Sequence, residues 1–143
     1  MKALAVLAFT FGIMAMFDFG RYRMDDAHLA QAVALNYVIY RNEVMRYVLS
    51  TGQTTPGDIS LASLSLPAGW TQLRQWHARI QNGCLYVWGP ASDEEVAAAR
   101  DLLFGSLAVG QAESGKLTPG GSALPAFVSQ GNLASVIDLG GGS

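Results

Sequence analysis

The stretch QWHARIQNGCLYVW, residues 75–88, decides the fold of this chain. Asn82 and Gly83 both tolerate positive φ, which a two-residue turn between twisted strands requires. The runs on either side of this pair are rich in aromatic and β-branched residues, as strands are. We therefore predict a β-hairpin in which His77 faces Trp88.

Alternation along the two strands divides the hairpin into two faces. One face is apolar and is predicted to lie in the core: Trp76, Ala78, Ile80, Leu85 and Val87. The other face carries His77, Arg79, Cys84, Tyr86 and Trp88. His77 and Cys84 lie at opposite ends of this second face, too far apart to form a thiolate pair. Arg79 is expected to stack on Tyr86 or Trp88. The second face either lies under a helix or meets a partner.

A capped helix is predicted directly after the hairpin, in ASDEEVAAARDLLFG, residues 91–105. Ser92 and Glu95 have the spacing of a capping box, and the acids of the first turn complement the helix dipole. We read these acids as caps rather than as general acids, because no nucleophile or metal ligand accompanies them. The apolar stripe of this helix is Val96, Ala99, Leu102 and Leu103.

The chain from residue 106 onward is predicted to form three further strands. Residues 106–121 read as a strand, a turn at 113–116 and a short return strand, and residues 133–139 read as the last strand. Gly110 inside the first of these strands indicates a bulge or a close approach of another backbone. The GKLT at 115–118 lacks the glycine spacing of a nucleotide-binding loop.

A long amphipathic helix is predicted before the hairpin, over residues 25–52. Its apolar positions are spaced three and four apart: Leu29, Val33, Tyr37, Tyr40, Val44 and Tyr47. Paired acids at its start suit the helix dipole, and Gly52 can end it. We expect its polar residues to form a solvated face: Arg41, Asn42, Glu43 and Arg46. The segment TGQTTPGDIS at residues 51–60 reads as a loop.

The N-terminal segment is apolar and uncharged over residues 3–17. As a helix it would be about 22 Å long, slightly short of a hydrocarbon core of about 30 Å unless Phe19 and Tyr22 extend it. An uncleaved membrane anchor, a cleaved signal and a buried helix are all compatible with this run. We favour an uncleaved anchor over residues 1–23, followed by one domain over residues 24–143. Basic residues on both sides of the segment leave its orientation open.

Composition excludes several function classes. The chain has 143 residues and a formal net charge of −2, and its nine Lys and Arg residues are scattered, so no nucleic acid partner is expected. The single cysteine excludes an intrachain disulfide, and the two histidines, His28 and His77, do not have zinc spacing. We expect no metal, cofactor or small-molecule substrate, and a protein that is not an enzyme. The element order favours an α+β domain with helices on one face of a small, largely antiparallel sheet.

Four segments carry a resemblance to a known family. They are NYVIYRNEVMRYV, LSLPAGW, GCLYVWGP and the long C-terminal run that begins LLFGSLAVGQAESGKLTPGG. In this order they resemble the small PilM proteins of type IVB or thin-pilus operons, including those of conjugative plasmids. The resemblance extends from about residue 30 to residue 139. It does not extend to the larger actin-like, nucleotide-binding proteins of the same name, whose phosphate loops this chain lacks.

The resemblance implies an inner-membrane protein with a transmembrane helix at its N-terminus and a periplasmic domain. Such a protein would assist pilin transport or basal assembly by contacting other pilus assembly components, possibly including pilin. No catalytic residues are implied. The residues that carry the match, with the neighbouring hairpin arginine, are the candidates for docking or structure: Tyr40, Arg41, Asn42, Trp70, Arg79, Tyr86 and Trp88.

A minor pilin or pseudopilin is the alternative, because an apolar helix that continues into an amphipathic helix and a small sheet is also the plan of a pilin. A pilin leader would end at Gly12 and leave Asp18 in the mature helix. The processed product would then retain almost no membrane helix. This alternative therefore predicts a mature chain that starts at Ile13.

Overall fold

The computed structural model describes the backbone of residues 2–140 and the side chains of residues 26–140. Its elements in chain order are α1 (Lys2–Thr51), β1 (Gly57–Asp58), a 3₁₀ turn (Leu61–Ser63), β2 (His77–Gln81), β3 (Cys84–Gly89), α2 (Asp93–Leu102), β4 (Val109–Glu113), β5 (Lys116–Thr118) and β6 (Leu133–Asp138). The strands form one antiparallel sheet in the order β1-β2-β3-β6-β4-β5. The predicted α+β class is confirmed.

The hairpin has the predicted register. His77 pairs with Trp88, and Gln81 pairs with Cys84 across the turn. Asn82 and Gly83 have φ of 51° and 73°, the left-handed values that this turn requires. All five residues of the predicted core face are buried against the helices.

The two helices pack on the same face of the sheet. The core between them contains Val33, Tyr37, Tyr40 and Val44 of α1, Val96 and Ala99 of α2, and the apolar face of the hairpin. Ser92 and Glu95 form the predicted capping box at the start of α2. Leu29 and Leu102 were expected in this core, but they are 49% and 38% exposed because each lies at the margin of its helix's apolar stripe.

The first helix differs from the prediction at its beginning. The backbone is helical from Lys2 without a break, so the acids at residues 25 and 26 lie within a helix instead of at its start. Gly52, with φ of 61°, follows the last helical residue, as predicted. The proposed anchor over residues 1–23 lies outside the residues whose side chains are described. Within the described part of the chain, no helix is both long and apolar enough to cross a membrane.

The second face of the sheet is covered by the segment between β5 and β6. Leu124, Phe127 and Val128 of this segment pack against Tyr86 and Trp88. Gly110 makes the predicted close approach, since a Cβ atom there would lie 2.0 Å from the carbonyl oxygen of Thr118. The second face of the hairpin therefore lies under a loop, not under a helix.

Candidate docking cleft at the sheet edge

A cleft of about 350 Å³ opens beside β2, where the second face of the sheet meets its edge. Side chains from four parts of the chain line it, and more than half of them are aromatic or charged: Tyr40 of α1; Trp76, His77, Ala78, Arg79 and Trp88 of the hairpin region; Asp58, Ile59, Leu61 and Gln72 of the preceding segments; and Phe127 of the covering segment. No short sequence motif contains this set, because the sheet brings it together.

The outer wall of the cleft is a run of aromatic rings. The ring centroids of His77 and Trp88 are 5.4 Å apart in a stacked arrangement, as their cross-strand pairing allows. The Trp88 and Phe127 centroids are 4.7 Å apart, and Tyr86 meets Phe127 edge to face at 5.8 Å. Such contacts hold aromatic side chains in fixed positions, and Tyr86 and Trp88 are each only 8% exposed.

Arg79 provides the positive charge of the cleft. Its guanidinium carbon lies 5.2 Å from the centroid of Phe127, and one Nη atom is 3.5 Å from an Asp58 carboxylate oxygen. The predicted stacking on Tyr86 or Trp88 is wrong, because the covering segment places Phe127 beside Arg79 instead. The Nε atom of Arg79 is buried without a hydrogen-bond partner in the described part of the chain. Arg79 therefore presents its half-exposed Nη end, and not its Nε atom, to the cleft.

The inner wall consists of Tyr40 and the residues that pack behind it. The rings of Tyr40 and Trp70 stack with centroids 6.1 Å apart and an angle of 13° between their planes. Burial raises the pKa of Tyr40 to about 12. The hydroxyl group therefore stays protonated above pH 10, where an ordinary tyrosine loses its proton.

Asn36 fixes one wall of the cleft, and sequence reasoning missed it. Its side chain donates to the Thr71 carbonyl oxygen at 2.8 Å. Its Oδ1 atom accepts from the Leu73 backbone N–H at 3.0 Å and from Trp76 Nε1 at 2.7 Å. The signal was present, because Asn36 lies three residues after Val33 and four before Tyr40, on the buried face of α1.

A second polar contact ties the same segment to α2. Arg74 Nη2 lies 2.6 Å from Glu95 Oε1, and Glu95 is only 4% exposed. The same carboxylate accepts from the Ser92 backbone N–H in the capping box. Residues 71–76 are thus held at both α1 and α2, which keeps the wall of the cleft in place.

Arg41 lies in the core and not on a solvated face. Its Nε atom donates to Ser135 Oγ at 2.9 Å. Ser135 Oγ is 2.6 Å from the Tyr37 hydroxyl, which donates to the Val87 carbonyl oxygen at 3.0 Å. Burial raises the pKa of Tyr37, while the Ser135 hydrogen bond and the Arg41 charge act in the opposite direction. This network joins α1 to the two central strands.

The candidate docking residues lie in three places. Tyr40, Arg79 and Trp88 line the cleft, and Trp70 and Tyr86 pack beside its aromatic walls. Arg41 is part of the core network, and Asn42 is exposed on the outer surface of α1. Glu43, which was expected on the same solvated face, is 9% exposed and pairs with Arg46 at 3.2 Å.

Comparison with known proteins gives a family and a fold. The PilM family model matches residues 6–136. A crystal structure described as that of a PilM protein from Escherichia coli B7A has a TM-score of 0.60 at 19% sequence identity, over 78% of this chain and 93% of that chain. No curated protein matches. The match over most of the chain confirms the resemblance in its sequence, and the chain belongs to the PilM family.

Proposed function

We propose that this protein is a component of type IVB pilus biogenesis, anchored in the inner membrane with its domain in the periplasm. It acts by protein–protein interaction, in pilin transport or in assembly of the pilus base, and not by catalysis. The observation that carries this proposal is the PilM match over residues 6–136, since membership of that family implies a pilus-related role.

The cleft is the surface by which the domain binds another pilus component. Aromatic side chains and arginine are the residues that contribute most to binding at protein interfaces. Here the aromatic rings are fixed by packing against one another, so binding orders few side chains. His77 is exposed at the rim, and Arg79 has one face on Phe127 and an Nη atom 3.5 Å from an Asp58 carboxylate oxygen.

The membrane anchor remains a proposal that rests on residues 1–23. The uncharged run at 3–17 supports it, as does the unbroken helical backbone from Lys2 to Thr51. A continuous helix would couple the anchor directly to the domain. The periplasmic location of the domain comes from the family resemblance.

Complementation of a deletion strain tests the docking role. His77→Asp and Arg79→Ala change the rim of the cleft without opening the core, and both should reduce pilus assembly at least tenfold at normal protein levels. Asn42→Ala is the matched control, because Asn42 is exposed on α1 away from the cleft. Normal pili in both cleft variants would contradict the proposed docking surface.

Fractionation and mass spectrometry test the anchor against the minor-pilin alternative. The long helix that leads into a sheet is the feature that keeps this alternative open. An anchored protein is recovered with inner membranes and keeps its N-terminal segment. A mature chain that begins at Ile13 would refute the anchor and support the pilin alternative.

A further inference from the structure

Phe104 combines an exposed aromatic side chain with a left-handed backbone conformation. It is 96% exposed, more than any other large apolar side chain in the described part of the chain. Its backbone is left-handed, with φ of 56°, a conformation that bulky residues rarely adopt. Both features lie directly after α2.

The backbone at Phe104 forms a Schellman motif. The Gly105 N–H donates to the Arg100 carbonyl oxygen at 2.8 Å, and the Phe104 N–H donates to the Asp101 carbonyl oxygen at 3.1 Å. Phe104 thus occupies the left-handed position of the motif, which is usually glycine. A phenylalanine there adds backbone strain and gains no burial within the domain. We therefore look for a contact between its ring and another molecule.

A cavity that can hold a benzene-sized ring lies at the end of α1. It has a volume of about 140 Å³. It is lined by Asp138 and by six apolar side chains: Met45, Val48, Leu49, Leu85, Ile137 and Leu139. An engineered apolar cavity of about 150 Å³ is known to bind benzene. Leu49 at its margin is 75% exposed, so the cavity is open to a partner.

Phe104 and the cavity share one end of the domain. The Val136 N–H donates to the Ala108 carbonyl oxygen at 2.9 Å, which places Ala108, four residues after Phe104, next to the end of β6. The following residues, 137–139, line the cavity. The cavity is about 30 Å along α1 from residue 26, so it lies far from the proposed anchor.

Charges beside the two features are complementary. Arg100 lies four residues before Phe104, and its guanidinium makes one long hydrogen bond within the described part of the domain, from Nη2 to the Gly105 carbonyl oxygen at 3.4 Å. Asp138 lines the cavity and is exposed. Neither residue belongs to a salt bridge within the part of the chain that has described side chains.

We propose that the domain binds a second copy of itself through this end, as a two-fold dimer. The Phe104 ring of each copy enters the cavity of the other, and each Arg100 pairs with the other copy's Asp138. A two-fold interface uses the same patch on both partners, so that patch must be complementary to itself. This one is, because it contains a protruding ring, a cavity and two opposite charges. The dimer leaves the cleft at the sheet edge free.

Co-purification of two differently tagged full-length copies from detergent extracts tests the dimer. Phe104→Gly should lower recovery of the second copy at least tenfold. Asp138→Arg is expected to abolish association by itself, so it isolates the effect of Phe104→Gly on the single domain. In that background Phe104→Gly should raise the thermal midpoint of unfolding by about 2–4 °C, because glycine suits the left-handed position. Leu35→Ala, which truncates another half-exposed leucine, is the control and should change neither readout. Undiminished recovery with Phe104→Gly would overturn the proposal.

A charge exchange distinguishes a second copy from a different partner. Arg100→Glu and Asp138→Arg should each abolish co-purification when both tagged copies carry the same change. A copy with Arg100→Glu should bind a copy with Asp138→Arg, because this mixed dimer keeps one native pair and restores the other with its charges reversed. The double variant Arg100→Glu/Asp138→Arg, which reverses both pairs, should also associate with itself. Failure of both the mixture and this double variant to associate would overturn the two-fold arrangement. If these variants lose the dimer but still bind a pilus component at the cleft, the proposed docking function stands independently of the dimer.

Discussion

Replacing Asn36 with alanine is expected to lower the free energy of unfolding by about 2–4 kcal/mol. The change removes the acceptor for two N–H groups, that of the Trp76 indole and that of the Leu73 backbone. An unsatisfied buried donor costs about 1–3 kcal/mol, and we place the Leu73 group at the lower end because its side chain is 43% exposed. Alanine also favours the helix, which offsets a few tenths of a kcal/mol.

Asn42→Ala is the matched control for this prediction. It makes the same change on the same helix at an exposed position, so it gains the same helix propensity without losing a buried acceptor. We expect its effect to stay within about 0.5 kcal/mol. Urea unfolding of the full chain in detergent, followed by tryptophan fluorescence, measures both variants with the slope of the transition as a check on two-state behaviour.

The comparison between the two variants decides the prediction. Because Asn36 holds residues 71–76, its loss should also loosen the wall formed by Gln72 and Trp76 and weaken partner binding at the cleft. Equal unfolding free energies for Asn36→Ala and Asn42→Ala would refute the reasoning. Such a result would mean that residues 71–76 are held in place without the Asn36 side chain.

Three further predictions concern other parts of the fold. Gly110→Ala should destabilise the domain by about 2 kcal/mol or more, measured by urea unfolding, because its Cβ atom would collide with the Thr118 carbonyl oxygen. The contribution of Tyr40 to stability should be constant up to about pH 10 and fall towards pH 12, because the unfolded chain then loses a proton that the folded Tyr40 hydroxyl keeps. Burial also raises the pKa of Tyr37, which adds to this alkaline fall, and Tyr40→Phe should reduce the fall. Ser92→Ala should cost about 1 kcal/mol through loss of the helix cap, and a thermal melt that matches the unaltered protein would contradict it.

The parts of the fold that local sequence controls could be predicted. The hairpin register followed from Asn82 and Gly83, and the second helix followed from the spacing of Ser92 and Glu95. Each depends on residues close together in the chain. Strand β1 was missed because two residues in a loop carry no periodic signal.

The candidate site was harder to predict because distant segments form it. Phe127 lies nearly fifty residues from Arg79, and nothing in the local pattern around residue 127 shows that it covers the hairpin. Arg41 was misplaced for a related reason. A charged residue on an amphipathic helix is usually solvated, and its burial here depends on a hydroxyl group at Ser135, far along the chain.

Photocrosslinking in cells tests the central claim, that the cleft binds another component of the pilus assembly machinery, most directly. A photoreactive amino acid at His77 would report contacts at the rim of the cleft, and the same group at Leu35 would report the outer surface of α1. Our account predicts that His77 captures a pilus assembly protein, identified by mass spectrometry, and that Leu35 does not. Normal pilus formation with no capture at His77, or equal capture at both positions, would contradict it.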